Sequence, residues 1–331
     1  MINQYSLLDL AKNLNGEVFG NKNLTIDNIG SISRSNSRSI VFLTKKNLQE
    51  NAIKFNYGAL LLDKTSPIEY YEHSNAILVD DSKVAFAKMC SLFKTPLTAL
   101  SKPKTREIDK VTHGSNFSIS DDVVFGDNLQ VGSNVVIESG VKIGNNCVLG
   151  NNVVIGFNTT IGDSTVIDSG TIIGSEGFGN FESKSKKWIH IEHIGSVIIG
   201  NNVMIGANCC IDRGTIDETV ISDGVIIDNL VHIAHNVFIG KDTAIAAKVG
   251  IAGSCKIGER NKIGGLVGII DHIVTANDVT ISATSTVNKN LSKAGIYTGI
   301  MPITEHSLWK RIALWITKLD KITKFLNIRK I

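Results

Sequence analysis

One apolar side chain returns at every sixth position through most of this chain. The slots run from Ile119, Phe125 and Val131 through Ile137, Ile143, Leu149, Ile155, Ile161 and Ile167 to Ile173. They resume at Ile199, Ile205 and Ile211, slip by four residues, and continue from Ile221 through Ile227, Ile233, Ile239, Ile245, Ile251, Ile257 and Ile263 to Ile269. Thr275 is a polar slot, after which Ile281 and Val287 restore the beat. Glycine often follows the slot, as at Gly126, Gly132, Gly144, Gly150, Gly156, Gly162 and Gly174. A period of six is neither the 3.6 of a helix nor the two of a single strand. It predicts a solenoid of short strands, each coil covering the aliphatics of the one before. With three hexads to a coil, residues i and i+18 stack about 4.8 Å apart. The pause at 175–195 reads as an external loop, and insertions in a solenoid often line its binding face.

The flanks lack this beat. Over 1–100, Ser6 can cap a helix carrying Leu7, Leu8, Leu10 and Leu14. Strand-like runs follow at 39–43, 59–62 and 76–79, and a second helix over 82–93. This predicts a small α/β domain. Pro96 and Pro103, with lysines around them, mark a linker that we place at 101–112. The solenoid occupies 113–303. In 304–331, Thr304 can cap a helix, with Glu305 in its first turn. Leu308, Ile312, Trp315, Leu319, Ile322 and Leu326 recur at alternating four and three, the seam of a coiled coil. Such a seam favours self-association over a helix folded back on its own domain. Lys310, Arg311, Lys318, Lys321, Lys324, Arg329 and Lys330 make this segment basic. The expected class is α+β multidomain: a small α/β domain, a parallel β solenoid, and a C-terminal α-helix.

Composition removes several alternatives. Thirty glycines against four prolines suit many short strands with tight corners. A net charge of +3, without a basic stripe interleaved with aromatics, gives no argument for nucleic acid. The five cysteines are an odd number and none are spaced CxxC. That argues against a zinc site and against a disulfide framework, and for a reducing, cytoplasmic compartment. The first residues carry no signal-peptide pattern, and no apolar run approaches the ~20 residues of a membrane span.

Coil spacing gathers the candidate chemistry. His235 stands two places after the Ile233 slot, and Gly253 two places after Ile251, directly above it. Asp271 is two places after Ile269, with His272 beside it, about 10 Å from His235. Counting back through the slip, Arg213 falls in the coil before. An imidazole can act as general base near neutral pH. Asp228 is a candidate for holding its tautomer, and the unobstructed N–H of Gly253 a candidate oxyanion donor. A turn histidine on a solenoid also reads as a packed or solvated residue. For His190, His193 and His232 we read structure or exposure rather than chemistry.

At these residues the sequence resembles the UDP-3-O-acyl-glucosamine N-acyltransferases of lipid A synthesis. The resemblance rests on Gly224-Val225-Ile226-Ile227-Asp228-Asn229, Ile233-Ala234-His235-Asn236-Val237, Glu176-Gly177-Phe178-Gly179, Ile211-Asp212-Arg213-Gly214, Ala252-Gly253-Ser254 and Gly299-Ile300-Met301-Pro302. It implies a left-handed parallel β-helix working as a homotrimer with sites between subunits. It implies a 3-hydroxyacyl-acyl carrier protein as donor and UDP-3-O-acyl-glucosamine as acceptor, with no cofactor and no metal. In that family pattern His235 is the general base, Asp228 orients it, the Gly253 amide holds the oxyanion, and His272 supports binding or catalysis. Phe42, Phe178, Arg213 and Asn229 become substrate-binding residues, Phe42 by stacking on uracil. Two departures stand out. Lys45 and Leu48 replace the family's Asn and Tyr after Phe42, and Glu176 stands where an Asp is usual. The basic C-terminal segment suits an acidic carrier protein. The competing readings are another hexapeptide-repeat acyltransferase and a non-catalytic solenoid.

Overall fold

The computed structural model describes residues 4–32, 34–43, 56–94, 111–299 and 303–325. Its parallel pairings measure the coil directly. Ile233 lies beside Ile251, Ile251 beside Ile269, and Ile269 beside Val287, so stacked residues are 18 apart. Three parallel sheets, of 10, 9 and 7 strands, form the three faces of a left-handed parallel β-helix. Each strand is typically two residues long, one buried and one facing out.

The core holds more than the slots. From Val123 on, the residue two places before the slot is buried as well: Val135, Val141, Cys147, Val153, Val231, Val249 and Cys255 are among these. Positions two apart share a face of an extended chain, so each hexad contributes two inward side chains rather than the single one read from the beat. The second column was hidden because it mixes valine with cysteine, threonine and, at Asn261, a fully buried amide. Three residues after the slot the chain turns through the left-handed region. Asn134 (φ 57°), Asn152 (φ 59°), Asn236 (φ 59°) and His272 (φ 60°) all do so. Asparagine tolerates this conformation best among residues with a side chain. The corner asparagines also bond coil to coil, Asn116 Nδ2 to Asn134 Oδ1 at 2.9 Å and Asn134 Nδ2 to Asn152 Oδ1 at 3.1 Å.

Helix α1 (Leu7–Leu14) is capped by Ser6, whose hydroxyl accepts from the Asp9 N–H at 3.1 Å. Helix α2 (Ser82–Phe93) is capped by Asp81. They pack on a five-stranded sheet in the order Glu17–Phe19, Asn75–Val79, Ala59–Asp63, Ser39–Phe42, Asn28–Gly30. The three expected strands and both helices are present, and the three-residue strands at either edge are additional. Ile191, Ile194 and Ile216, from the two breaks in the hexad beat, pack against this domain's core. The ion pairs Arg34–Glu218 and Lys94–Glu192 join the same surfaces.

Residues Met1–Thr298 form one compact unit and Gly299–Ile331 a second. In the second, helix α3 (His306–Ile316) starts one residue later than Thr304 would dictate. Glu305 occupies the N-cap, its carboxylate accepting from the Ser307 hydroxyl, and the Thr304 hydroxyl is buried without a partner among the described residues. The expected continuous seam is broken. Thr317 is the C-cap of α3, its hydroxyl donating to the Leu314 carbonyl at 2.9 Å, and α4 (Leu319–Phe325) begins afresh. Leu308, Trp315 and Leu319 are exposed. Lys45, Leu48, Pro96, Pro103, Leu326, Arg329 and Lys330 lie outside the described residues.

The left-handed corners make a direct prediction. Asn152→Val should cost about 1–2 kcal/mol, the penalty of a β-branched residue at positive φ, whereas Asn152→Gly should cost less. Denaturant unfolding of the two variants checks this, and equal losses would contradict the role assigned to the corner.

Candidate active site

His235 and Gly253 stand where coil spacing puts them, on the corner between the 9-stranded and 7-stranded faces. The Ser254 N–H donates to the His235 carbonyl at 2.9 Å, and the His272 N–H to the Gly253 carbonyl at 3.0 Å, so the three residues lie on consecutive coils of one corner. A Cβ added to Gly253 would lie 2.7 Å from His235 Nε2 and 2.7 Å from Cε1. The imidazole therefore lies against the bare backbone of Gly253, and only glycine leaves room for it.

This corner also lacks a cap that others have. Elsewhere the N–H two places past the slot is bonded by a side chain one coil on. Ser133 N–H donates to Asn151 Oδ1 at 2.7 Å, Asp127 N–H to Asn145 Oδ1 at 2.9 Å, and Ala207 N–H to Asn229 Oδ1 at 2.7 Å. Gly253 has no side chain to offer His235 such a bond. Its own N–H has no hydrogen-bond partner among the described residues. An amide donor is thus left open beside an imidazole.

The partner of His235 differs from the expected one. Its Nδ1 is 3.1 Å from Asn236 Oδ1, an oxygen that already accepts from the Thr215 N–H at 3.0 Å. A carbonyl oxygen only accepts, so Nδ1 carries a proton, and in the neutral ring the lone pair then lies on Nε2, beside Gly253. Asp228 does not reach this imidazole within the chain. Seven residues carry the backbone round to another corner, between the 10-stranded and 9-stranded faces. There the Asp228 carboxylate accepts from the Asn229 N–H at 2.7 Å and the Ala247 N–H at 3.1 Å. Asn229 shares that corner. Asn236 thus holds this imidazole within the chain.

The insertion at 175–195 closes over His235. It forms an antiparallel hairpin of Asn180–Glu182 with Trp188–His190, and its base presses on the site. His193, read from sequence as structural or exposed, is 2 % exposed, and its ring meets that of His235 edge-on at 5.0 Å between centroids. Neither His193 ring nitrogen makes a well-formed hydrogen bond among the described residues. Burial, then the charge of His235, pushes its pKa down to about 4, so it is neutral near pH 7. The two glycines of the loop motif are required by this pair. A Cβ on Gly179 would lie 2.3 Å from His193 Cε1, and one on Gly177 3.0 Å from His235 Cβ. Glu176 fixes the loop by accepting from the His193 N–H at 3.1 Å and lying 3.0 Å from His190 Nε2. Phe178, between the glycines, is 77 % exposed.

The remaining candidates are spread more widely. Arg213 occupies the expected column, but its guanidinium lies 3.8 Å over the Phe157 ring and its Nε donates to the Gly174 carbonyl at 2.7 Å. His272 is exposed and 3.9 Å from Asp271. Phe42 stacks on Phe86 at 4.8 Å and lines a cleft of about 740 Å³ with Leu62, Asp81, Lys83, Phe181 and Lys184. Two groups, Glu176–His190–Glu192 and Cys210–Asp212–His232, bring metal-ligating atoms within 4.8 Å of one another.

This solenoid with a histidine beside a bare glycine corner belongs to the hexapeptide-repeat transferases. Residues 122–157 match the family described as bacterial transferase hexapeptide (six repeats), and 196–229 the hexapeptide repeat of succinyl-transferase. The fold is similar to that of the UDP-N-acetylglucosamine acyltransferase from Campylobacter jejuni, with a TM-score of 0.51 and 24% identity over 57% of this chain and 71% of that one. A UDP-3-O-acylglucosamine N-acyltransferase of Delftia acidovorans is 40% identical over 149 residues, 45% of this chain. The chain spans 44% of that relative's length, less than half. One from Coxiella burnetii (strain Dugway 5J108-111) is 34% identical over 98% of this chain and 96% of its own length. The chain belongs to the UDP-3-O-acylglucosamine N-acyltransferase family.

His193 gives the site a pH signature. From its ordinary 6.5 to about 4, the unfolded chain takes up a proton that the folded chain refuses. Stability should be intact above pH 6.5 and fall as pH drops through this window, by about 3 kcal/mol at most. Thermal unfolding across pH 4–6.5 should show His193→Gln losing less than the parent protein. An unchanged slope would contradict a buried neutral imidazole.

Proposed function

We propose that the protein transfers a 3-hydroxyacyl group from acyl carrier protein to the 2-amino group of UDP-3-O-(3-hydroxyacyl)glucosamine, as a homotrimer with its reaction centres between chains. The observation that carries this reading is the His235 imidazole, held through Nδ1 by Asn236 Oδ1, with its Nε2 beside the unpartnered N–H of Gly253. Acyl transfer to an amine needs both: a base for the proton the amine loses, and a donor for the oxyanion that forms. The amine attacks the thioester carbonyl and a C–N bond forms. His235 Nε2 takes the ammonium proton while the Gly253 N–H bonds the oxyanion. The tetrahedral intermediate then expels the carrier's thiolate, and the imidazolium returns its proton to that sulfur, leaving an amide and a free thiol. A positioned base contributes about 10²–10⁴-fold, and one oxyanion donor roughly 3 kcal/mol.

The other residues take supporting roles. Asn236 holds the His235 tautomer within the chain. A trimer with sites between chains brings the corner bearing Asp228 and Asn229 of one copy to the His235 corner of another. His272, on the coil above Gly253, meets the substrate at the rim of the corner. Arg213 attracts its diphosphate, and Phe178 covers it. The cleft lined by Phe42 is of a size that takes a small-molecule ligand, and in this reading it receives the uridine. Lys310, Arg311, Lys318, Lys321 and Lys324 offer the carrier protein a cationic surface. No helix among the described residues is long and apolar enough to cross a membrane. We place the reaction in the cytoplasm, in keeping with five free cysteines.

Mass spectrometry of products from UDP-3-O-acyl-glucosamine and 3-hydroxyacyl carrier protein tests the reading. The expected product is N-acylated. His235→Ala should retain the fold and oligomeric state but lose about 10²–10⁴-fold in turnover. Gly253→Ala should lose roughly 10²-fold or more, because its methyl group displaces the imidazole. Transfer only from acetyl-CoA, or full activity in His235→Ala, would overturn it.

A further inference from the structure

We propose that Cys210, Asp212 and His232 form a binding site for a zinc-class divalent cation on the outer face of the 9-stranded sheet. The proposal is independent of the acyl-transfer reading. Sequence spacing alone argued against zinc, because no two cysteines are arranged CxxC. Coil stacking brings ligands together by another route. In the parallel register Cys210 pairs with His232, and Ile211 with Ile233. The two isoleucines point into the core, so Cys210 and His232 both face out, side by side about 4.8 Å apart along the sheet. Asp212, two residues after Cys210 on the same strand, completes the group.

The ligand atoms lie close to the spacing that such an ion requires, and small rotations of the Cys210 and His232 side chains would close the rest. Cys210 Sγ lies 3.6 Å from Asp212 Oδ1, and His232 Nε2 lies 3.6 Å from Asp212 Oδ2. All three donors fall within 4.8 Å of one another. A tetrahedral zinc, with sulfur at about 2.3 Å and nitrogen or oxygen at about 2.0–2.1 Å, separates its ligand atoms by roughly 3.3–3.6 Å. The mixed thiolate, carboxylate and imidazole set suits zinc and cobalt better than calcium or magnesium, which take oxygen ligands.

The surroundings hold this set in place. Asp212 is 5 % exposed, and Ser175 Oγ donates to its Oδ1 at 2.6 Å. An outer partner of this kind orients a ligating carboxylate. On binding, the Cys210 thiol gives its proton to solvent. The thiolate and the Asp212 carboxylate then balance the two positive charges, and the imidazole binds neutral. On the next two strands of the same face, Gly250 and Gly268 follow His232 in register, and a Cβ built on either meets nothing within 4 Å among the described residues. The face beside His232 is open, so a fourth coordination position is left for water or another ligand. Three protein ligands and an open position are the pattern of zinc sites that bind exogenous groups.

The test uses full-length protein stripped with a chelator and titrated with cobalt(II). Expected are one equivalent per chain, a near-ultraviolet thiolate-to-cobalt band, the visible bands of four-coordinate cobalt, and their loss on adding zinc. Cys210→Ser should abolish the thiolate band. His232→Gln, whose side chain is about half exposed and so does not hold the fold, should weaken cobalt binding at least about tenfold, and Ser175→Ala by about 10–100-fold. Cobalt binding without a thiolate band, or His232→Gln binding cobalt as tightly as the parent, would overturn the proposal. The second of these decides the matter even if Cys210→Ser fails to fold.

Discussion

Everything in the solenoid depends on the backbone bond that each strand makes to the strand 18 residues on. With residues in this register, the same side chain positions recur at the same place on every coil, so the core becomes columns and the corners become ladders. A one-residue error in any coil would turn its buried column outward, since neighbouring positions of a strand face opposite ways. That is why two inward positions per hexad are held apolar or small, with inward polar groups such as Thr165 and Thr171 hydrogen-bonded to the next coil. Asn261 is the extreme case. It is fully buried, and its amide is satisfied by bonds to Thr275 Oγ1 at 2.6 Å and from the Val279 N–H at 2.6 Å.

The register yields at two places, on consecutive coils of one corner, and His235 stands at that corner on the next coil. Ile161 pairs with Ile199 across the insertion, and Ile199 with Ile221 across the four-residue slip. Extra residues cannot enter a coil whose length is fixed, so both excesses are forced outward. They meet each other, with the Gly195 N–H donating to the Gly214 carbonyl at 3.0 Å. They also present Ile191, Ile194 and Ile216 to the N-terminal domain. One pair of irregularities thereby seats a domain, lays His193 on His235, and shapes a cleft against Phe42.

The strictly periodic part of this protein was readable from sequence because one rule, repeated, fixes it. His235 and Gly253 could be stacked by counting, since nothing between them departs from the beat. What escaped was decided where counting fails. His193 lies in the insertion, where no period predicts a neighbour. Asp228 is close to His235 in sequence but a corner away in space, because six residues make one face and turn. Cys210 and His232 were separated in sequence by the slip, which hid that they are direct neighbours in the sheet. The C-terminal heptad pattern has an unbroken apolar rhythm, yet the backbone stops at Thr317, whose hydroxyl bonds back to Leu314. Side-chain periodicity does not record such a local competitor for the helix ladder.

The solenoid's uniformity also explains how it tolerates an unsatisfied site. A bare amide and an imidazole pair without the usual caps each sacrifice stability, by about 1–3 kcal/mol for a buried polar group left unpaired. His193 carries two such nitrogens. In a small domain this would be a large share of the total. Here the cost is confined to one corner, while a continuous core from Val111 to Leu291 is unaffected on either side. In a repeat fold, stability is approximately a sum over coils and their contacts, so a loss at one corner does not propagate. The missing side chain at 253 is moreover what leaves the His235 N–H uncapped and makes room for the imidazole against the Gly253 backbone. Placing an asparagine side chain at position 253, as at 151 or 229, would satisfy the N–H of His235 and fill the space that its imidazole occupies. The same column position thus serves as a structural cap on most coils and as an open site on this one, according to whether it carries a side chain.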